Sequence, residues 1–576
     1  MKINKKKFNK RKISSHWLTH FERSNFQESP NYSETIKYFQ KFETESKYAK
    51  LITIGVSPQK REIKLLIVSK GNEFTAEAAA QSGKAIVLIQ NGIHPGEIEG
   101  KDACMLLLRE ILITKEKEYL LNNIILLIIP VFNVDGHERL SYYNRPNQNG
   151  PKEMGWRTTS QNLNLNRDYM KADTPEMRSW LKMFSAWLPD FMIDNHTTNG
   201  ADYQYHVTYG IEKYQNVHPL LSTFVKKKYL PFLLQHVEQD GFLTAPYIEF
   251  KGSTLESGIV DVPLMPRLST GYCAVQNRIC LLVETHSLKP FKNRVFSTKS
   301  MMLHSLEFIS QNFKEIKRLN KRADESSVVE FFKKKNKIPV HFILTDKFEM
   351  MRFKGFKSYQ EESPITGALI TRFTNSKTEF DIPIFNKSII GDSITLPLAY
   401  SIPEQFTNII EILNCHRIAY FQLEDEAKVQ IEKYRFTKAE FWKRPYEGRL
   451  LVDVEHETTT EEVLLPNRTF IVPTNQRTIR VIANLFEPKS PDSFVSWGFF
   501  NAFFERKEYA EDFVMEPYAK KMLDDNVKLR NEFFHLVKVD EYFRLNPLER
   551  LDFFYRHSPF FDNGEMIYPI YRIINY

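Results

Sequence analysis

The sequence predicts an α/β fold, a mixed and mainly parallel twisted sheet flanked by helices, followed by a C-terminal region that is β-rich and then helical. Three observations carry this prediction. Strand-sized apolar runs alternate with helical patterns from about Tyr48 to Ser310, as they do where helices pack on a largely parallel sheet. The charged stretch Lys314 to Ser327 interrupts that alternation and is the best boundary. Beyond it, the runs Ile338 to Leu344 and Arg449 to Val454 read as strands, and the chain turns helical from Asp492 to about Phe554.

In chain order, the first element is a basic arm. Lys2, Lys5, Lys6, Lys7, Lys10, Arg11 and Lys12 contribute +7 of the net +8, so the other 564 residues (576 less 12) sum to about +1. Net charge therefore gives no argument for a nucleic-acid surface, and the arm reads as a solvated tail. It resembles the start of a signal peptide, but Ile13 to Phe21 is too polar for the apolar segment that should follow. Export is unsupported and a cytoplasmic location is the default expectation. No apolar run reaches the roughly 18 residues of a membrane span; Ile124 to Val131 is strand-sized. Cys104, Cys273, Cys280 and Cys415 match neither a zinc ribbon nor a disulfide framework, and buried thiols are expected. The expected units are an arm over 1–30, an α/β domain over 31–322 and an accessory region over 328–576. Aromatic clusters such as Trp497 to Phe500 and Phe503-Phe504 are expected in the core.

The chemistry lies in the α/β half, where apolar runs end in polar groups. Open α/β sheets bind ligands outside the carboxyl ends of their strands. Ala85 to Ile89 leads to His94-Pro95-Gly96-Glu97, and Ile124 to Phe132 ends in Asn133-Val134-Asp135-Gly136. Phe191 to Ile193 ends in Asp194-Asn195-His196, and Ile279 to Val283 ends in Glu284-Thr285-His286. A catalytic zinc commonly takes two imidazoles and one carboxylate, leaving a fourth position to water, and His94, Glu97 and His196 fit that set. A positioned base must still move the proton, and Glu284 is the candidate. Arg157, after Trp156, and Arg167, in Leu165-Asn166-Arg167-Asp168, bring guanidinium groups suited to a carboxylate or a developing oxyanion.

In the order and spacing of these segments, the region from Tyr48 to Ser310 resembles the M14 family of zinc metallocarboxypeptidases. The matching elements are His94-Pro95-Gly96-Glu97, Asn133-Val134-Asp135-Gly136, Trp156-Arg157, Leu165-Asn166-Arg167-Asp168, Asn195-His196 and Val283-Glu284-Thr285-His286-Ser287. The resemblance implies one zinc ion held by His94, Glu97 and His196, with Glu284 as general base. It implies that Arg157 stabilises the oxyanion and that Asn166 and Arg167 hold the terminal carboxylate of a peptide. Two histidines and a glutamate are the family's zinc ligand set. The segment Ser493 to Asn501 also resembles the C-terminal region of a long bacterial subgroup of the family.

Three departures stand out. Asn164 occupies the position where the family commonly has an aspartate that orients the first zinc histidine, leaving Asp168 as an alternative partner. The ungapped position of the family's substrate-capping tyrosine falls near Val262, with Tyr272 and Tyr247 as candidate substitutes. The specificity-pocket segment, Asp261 to Gln276, is too divergent to read a preferred side chain. The reading is therefore a zinc-dependent peptidase acting on peptides with a free C-terminal carboxylate. The alternatives are a zinc amide deacylase of the aspartoacylase or desuccinylase type and a non-catalytic peptide-binding relative.

Overall fold

The computed structural model describes residues 14–198, 201–252 and 255–576. Its central sheet has eight strands: β1 (Ala49–Val56), β2 (Glu62–Val68), β3 (Ala85–Asn91), β4 (Ile124–Ile129), β5 (Phe191–Thr198), β6 (Val207–Ile211), β7 (Thr244–Pro246) and β8 (Ile279–His286). Their spatial order is β1-β2-β4-β3-β5-β8-β6-β7. The central strands β4, β3, β5 and β8 run parallel. The β1/β2, β2/β4 and β8/β6 pairs are antiparallel, which makes the sheet mixed.

The unbroken apolar runs have a simple cause, since both faces of this sheet are covered. Every residue of β3, β4, β5 and β8 is buried. Side chains alternate between the faces, so Ile125, Leu127 and Ile129 enter one core and Ile124, Leu126 and Ile128 the other. From β3 the chain crosses to β4 on one side, and from β5 it goes on towards β8 on the other. The carboxyl ends of β3 and β5 therefore flank the topological switch point, where a crevice opens.

The basic residues Lys2 to Lys12 lie outside the described residues. Within the rest of the expected arm, Trp17 and Phe21 are buried and Thr19 forms a capping box on the helix His20–Arg23; just past it, Asn31 does the same for the helix Tyr32–Glu45.

The charged stretch Lys314 to Ser327 is the outer part of one long helix, Phe291–Val328, kinked at Asn312. Its Ile316, Leu319, Ala323 and Ser327 are buried at spacings of three and four, while Lys314, Arg318, Lys321, Arg322 and Glu325 are exposed. We propose that 31–322 and 328–576 are two units joined through this helix. They share one apolar core, in which Leu127 and Trp180 lie in the same cluster as Tyr400, Leu413, Phe486 and Tyr568.

The C-terminal region holds a hairpin, Glu349–Glu362 with Leu369–Phe385, which extends the short strands Ile259–Val260 and Glu249–Phe250 of the first half. A six-stranded sheet follows, whose longest pair is Ala427–Phe441 with Val452–Leu465. Helices then run from Asp512 to Arg556. The helical reading from Asp492 begins too early. Hydroxyls of Ser490 and Ser493 take the N–H groups of Asp492 and Ser496, which bends the chain into turns there. Trp497 and Phe500 are buried, as expected of core aromatics. The four cysteines are buried free thiols. Among the described residues no helix is long and apolar enough to cross a membrane.

Candidate active site

The turn after β3 brings His94 and Glu97 to the crevice, closed by the Glu97 N–H donating to the His94 carbonyl at 2.8 Å. Gly96 is needed in that turn because a Cβ would lie 2.5 Å from Cγ of Arg145. His196 lies two residues before the end of β5, and Glu284 of β8 lies beside it in register. Carboxyl ends of three neighbouring parallel strands thus supply His94, Glu97, His196 and Glu284, all buried.

Hydrogen bonds fix how the two imidazoles present themselves. His94 Nε2 lies 3.0 Å from Asn164 Oδ1, an atom that also accepts the N–H of Asn166 at 3.0 Å. His196 Nε2 lies 3.0 Å from Asp194 Oδ2. Each Nε2 therefore carries the proton, and each Nδ1 turns its lone pair inward. Both Nδ1 atoms face Glu97 Oε2, at 3.2 Å from His94 and 3.0 Å from His196. Two lone pairs and a carboxylate oxygen in that arrangement repel unless a cation or a proton sits among them.

Donor atoms sharing one zinc at about 2.0–2.1 Å stand about 3.3 Å apart at tetrahedral angles. The observed separations fit, and ligand atoms of the three residues all lie within 4.8 Å of one another. The buried set of two imidazoles and one carboxylate suits zinc.

The electrostatics point the same way. Burial disfavours a charged His196, but the carboxylates of Asp194, Glu97 and Glu284 outweigh it and raise its pKa well above the ordinary value. Burial pushes His94 down to about 4. Glu97 is held well below the usual carboxylate range, because His94, Arg145 and His196 overcome the cost of its burial. Burial, reinforced by the charges of Glu97 and Asp194, pushes Glu284 up to about 8. A bound dication would pull that value down.

The arginines divide between two places. Arg157 Nη1 is 3.3 Å from Glu97 Oε1, and its side chain remains partly exposed to the crevice. Arg167 donates from Nη1 to the Asn166 carbonyl at 2.6 Å and from Nε to the Tyr446 hydroxyl at 2.9 Å. Asn166 is buried and accepts the Ser269 N–H at 3.4 Å. Asn164 links the two places, since one oxygen serves both His94 and Asn166. Asp168 does not stand in for it. Its carboxylate is taken by Lys171, Thr174 and the Asp173 N–H.

Of the two candidate tyrosines, Tyr272 is buried in the core with its hydroxyl 2.9 Å from His416 Nδ1. Tyr247 is the one in the site, and the nearby Glu284 charge is the largest cause of its raised pKa. Sequence reasoning passed over Asp194, which strand alternation puts on the same face as His196 two residues on. It also passed over Arg145, whose Nη2 donates to Glu97 Oε1 at 2.7 Å. Neither Arg145 nor Tyr446 carries a local signal, because each reaches the site from a loop remote in sequence.

The sequence model of the zinc carboxypeptidase family, peptidase M14, matches residues 35–208. Carboxypeptidase 2 of Trichophyton tonsurans is 22% identical over 438 residues, covering 72% of this chain and 74% of the fungal protein. Among solved structures, a metallo-carboxypeptidase from Pseudomonas aeruginosa is 15% identical, with a TM-score of 0.37 over 50% of this chain and 69% of that one. Carboxypeptidase A from Helicoverpa armigera is 17% identical, with a TM-score of 0.34 over 50% of this chain and 75% of that one.

Proposed function

We propose that the chain is a member of the zinc carboxypeptidase family and removes residues from the C-terminal end of peptides, using one zinc ion held by His94, Glu97 and His196. The observation that carries this reading is the convergence of His94 Nδ1 and His196 Nδ1 on Glu97 Oε2, with Glu284 in register beside them. When bound, zinc supplies Lewis acidity to a water and to the scissile carbonyl.

The chain's own residues do the rest. Arg167 and Asn166 hold the terminal carboxylate of the peptide, which fixes the last peptide bond relative to the crevice. Arg157, partly exposed beside Glu97, offers its N–H groups to the carbonyl oxygen as it gains charge. That stabilisation is larger in the transition state than in the ground state, so it raises kcat. Glu284 accepts a proton from the attacking water and passes it to the departing amine, so the products are an acid and a free amino acid. Asp194 and Asn164 keep the imidazoles in the Nε2–H tautomer throughout.

The reading is tested with three matched substrates: a peptide with a free C terminus, the same peptide as its C-terminal amide, and an N-acyl amino acid. Zinc-dependent release of the last residue from the first, and little turnover of the others, is expected. Preferential hydrolysis of the N-acyl amino acid would make the protein a deacylase instead. Binding of the free-ended peptide without release, at full zinc occupancy, would make it a non-catalytic relative.

A further inference from the structure

Resting on the reading of Arg167 as the group that takes a terminal carboxylate, we propose that Tyr446 is a further donor of that subsite. The C-terminal region would then supply a substrate-binding residue to the crevice. Tyr446 begins a tight turn, Tyr446-Glu447-Gly448-Arg449, closed by Tyr446 N to Arg449 O at 2.8 Å and Arg449 N to Tyr446 O at 3.1 Å. Its two central residues have φ of +50° and +76°, the mirror-image turn that joins twisted strands and favours glycine.

Separate contacts press this turn onto the segment that carries Asn164, Asn166 and Arg167. Glu447 Oε2 accepts the Asn164 N–H at 2.8 Å. Arg449 grips Asp173 with two hydrogen bonds, of 2.7 and 2.6 Å. The Tyr446 ring stacks on the buried Trp497 with centroids 5.9 Å apart, and Trp497 is itself held by Asp492 at 3.2 Å and covered by Arg267. The Tyr446 hydroxyl is therefore placed by a built surface rather than by a free loop.

That hydroxyl accepts the Nε–H of Arg167, so its own proton points to a different acceptor. Among the described residues none takes it, and none takes the Nη2 donors of Arg167. A carboxylate has two oxygens, and an arginine Nη2 beside a phenol O–H is a donor pair that suits them.

The test uses the zinc-loaded full chain. Titration calorimetry compares a dipeptide having a free C terminus with its C-terminal amide, for wild type and for Tyr446→Phe, which keeps the ring and its stack. Loss of one hydrogen bond to a charged group should weaken the free-carboxylate dipeptide about tenfold. The amide should bind both proteins alike. In turnover assays KM should rise in parallel with kcat unchanged, and the melting temperature should stay at the wild-type value. If wild type prefers the free carboxylate and Tyr446→Phe shows the same preference, the assignment of Tyr446 is wrong while Arg167 stands. If wild type shows no preference, the reading of Arg167 itself has failed, and Tyr446 falls with it.

Discussion

Asn164 Oδ1 stands 3.0 Å from His94 Nε2, where the family commonly has a carboxylate, and the same oxygen accepts the Asn166 N–H. A neutral amide orients the imidazole as a carboxylate does, because both accept the Nε2 proton. It lends the ring less basicity, however, and leaves His94 less able to hold a cation than His196, which has Asp194 behind it.

Replacing Asn164 with Asp should therefore tighten zinc, whereas Asn164→Ala and Asp194→Ala should each loosen it by about 10- to 100-fold. Competition against a chromophoric chelator reads this directly. Unchanged affinity in all three variants would remove Asn164 and Asp194 from the metal site.

Arg157 and Arg167 should separate kinetically. Arg157→Lys keeps the charge but loses the fork beside Glu97, and kcat should fall by about 100-fold with little change in KM. Arg167→Lys should instead raise KM, because a point charge replaces a planar donor set. Steady-state kinetics on one free-ended peptide checks both. A pure KM effect for Arg157 would move it from the oxyanion to the binding side.

Away from the metal, burial pushes Glu212 up to about 7, although Asn216, Thr270 and the Leu264 N–H all bond its carboxylate. A carboxyl whose folded pKa lies above its unfolded value binds more protons when folded. Its contribution is therefore present below about pH 4.5 and lost as pH rises through about 7. The loss is of order 3 kcal/mol. Glu212→Gln should remove that slope, so denaturant midpoints of variant and wild type should converge at acid pH and separate in the variant's favour by pH 8. Parallel pH profiles would contradict the assignment.

Where physics is local, the sequence was readable. Runs such as Ile124 to Ile129 are continuous because both faces of β4 are covered, and their carboxyl ends carried the chemistry. Asp194 was half readable, since a period of two puts it beside His196. The helix over Lys314 to Ser327 was missed because its few buried apolar residues, Ile316, Leu319 and Ala323, are sparse among many charges. Arg145 and Tyr446 were not readable at all. Arg145 reaches Glu97 across 48 residues and Tyr446 reaches Arg167 across 279, through loops whose position depends on the assembled fold.

The central claim is that His94, Glu97 and His196 hold the metal while Glu284 moves the proton. It is tested most directly by measuring zinc content and release of the C-terminal residue on the same preparations of wild type and Glu284→Gln. Both proteins should carry one zinc per chain, and release should fall by about 100- to 10,000-fold in the variant. Wild-type turnover by a zinc-loaded Glu284→Gln protein would contradict the account.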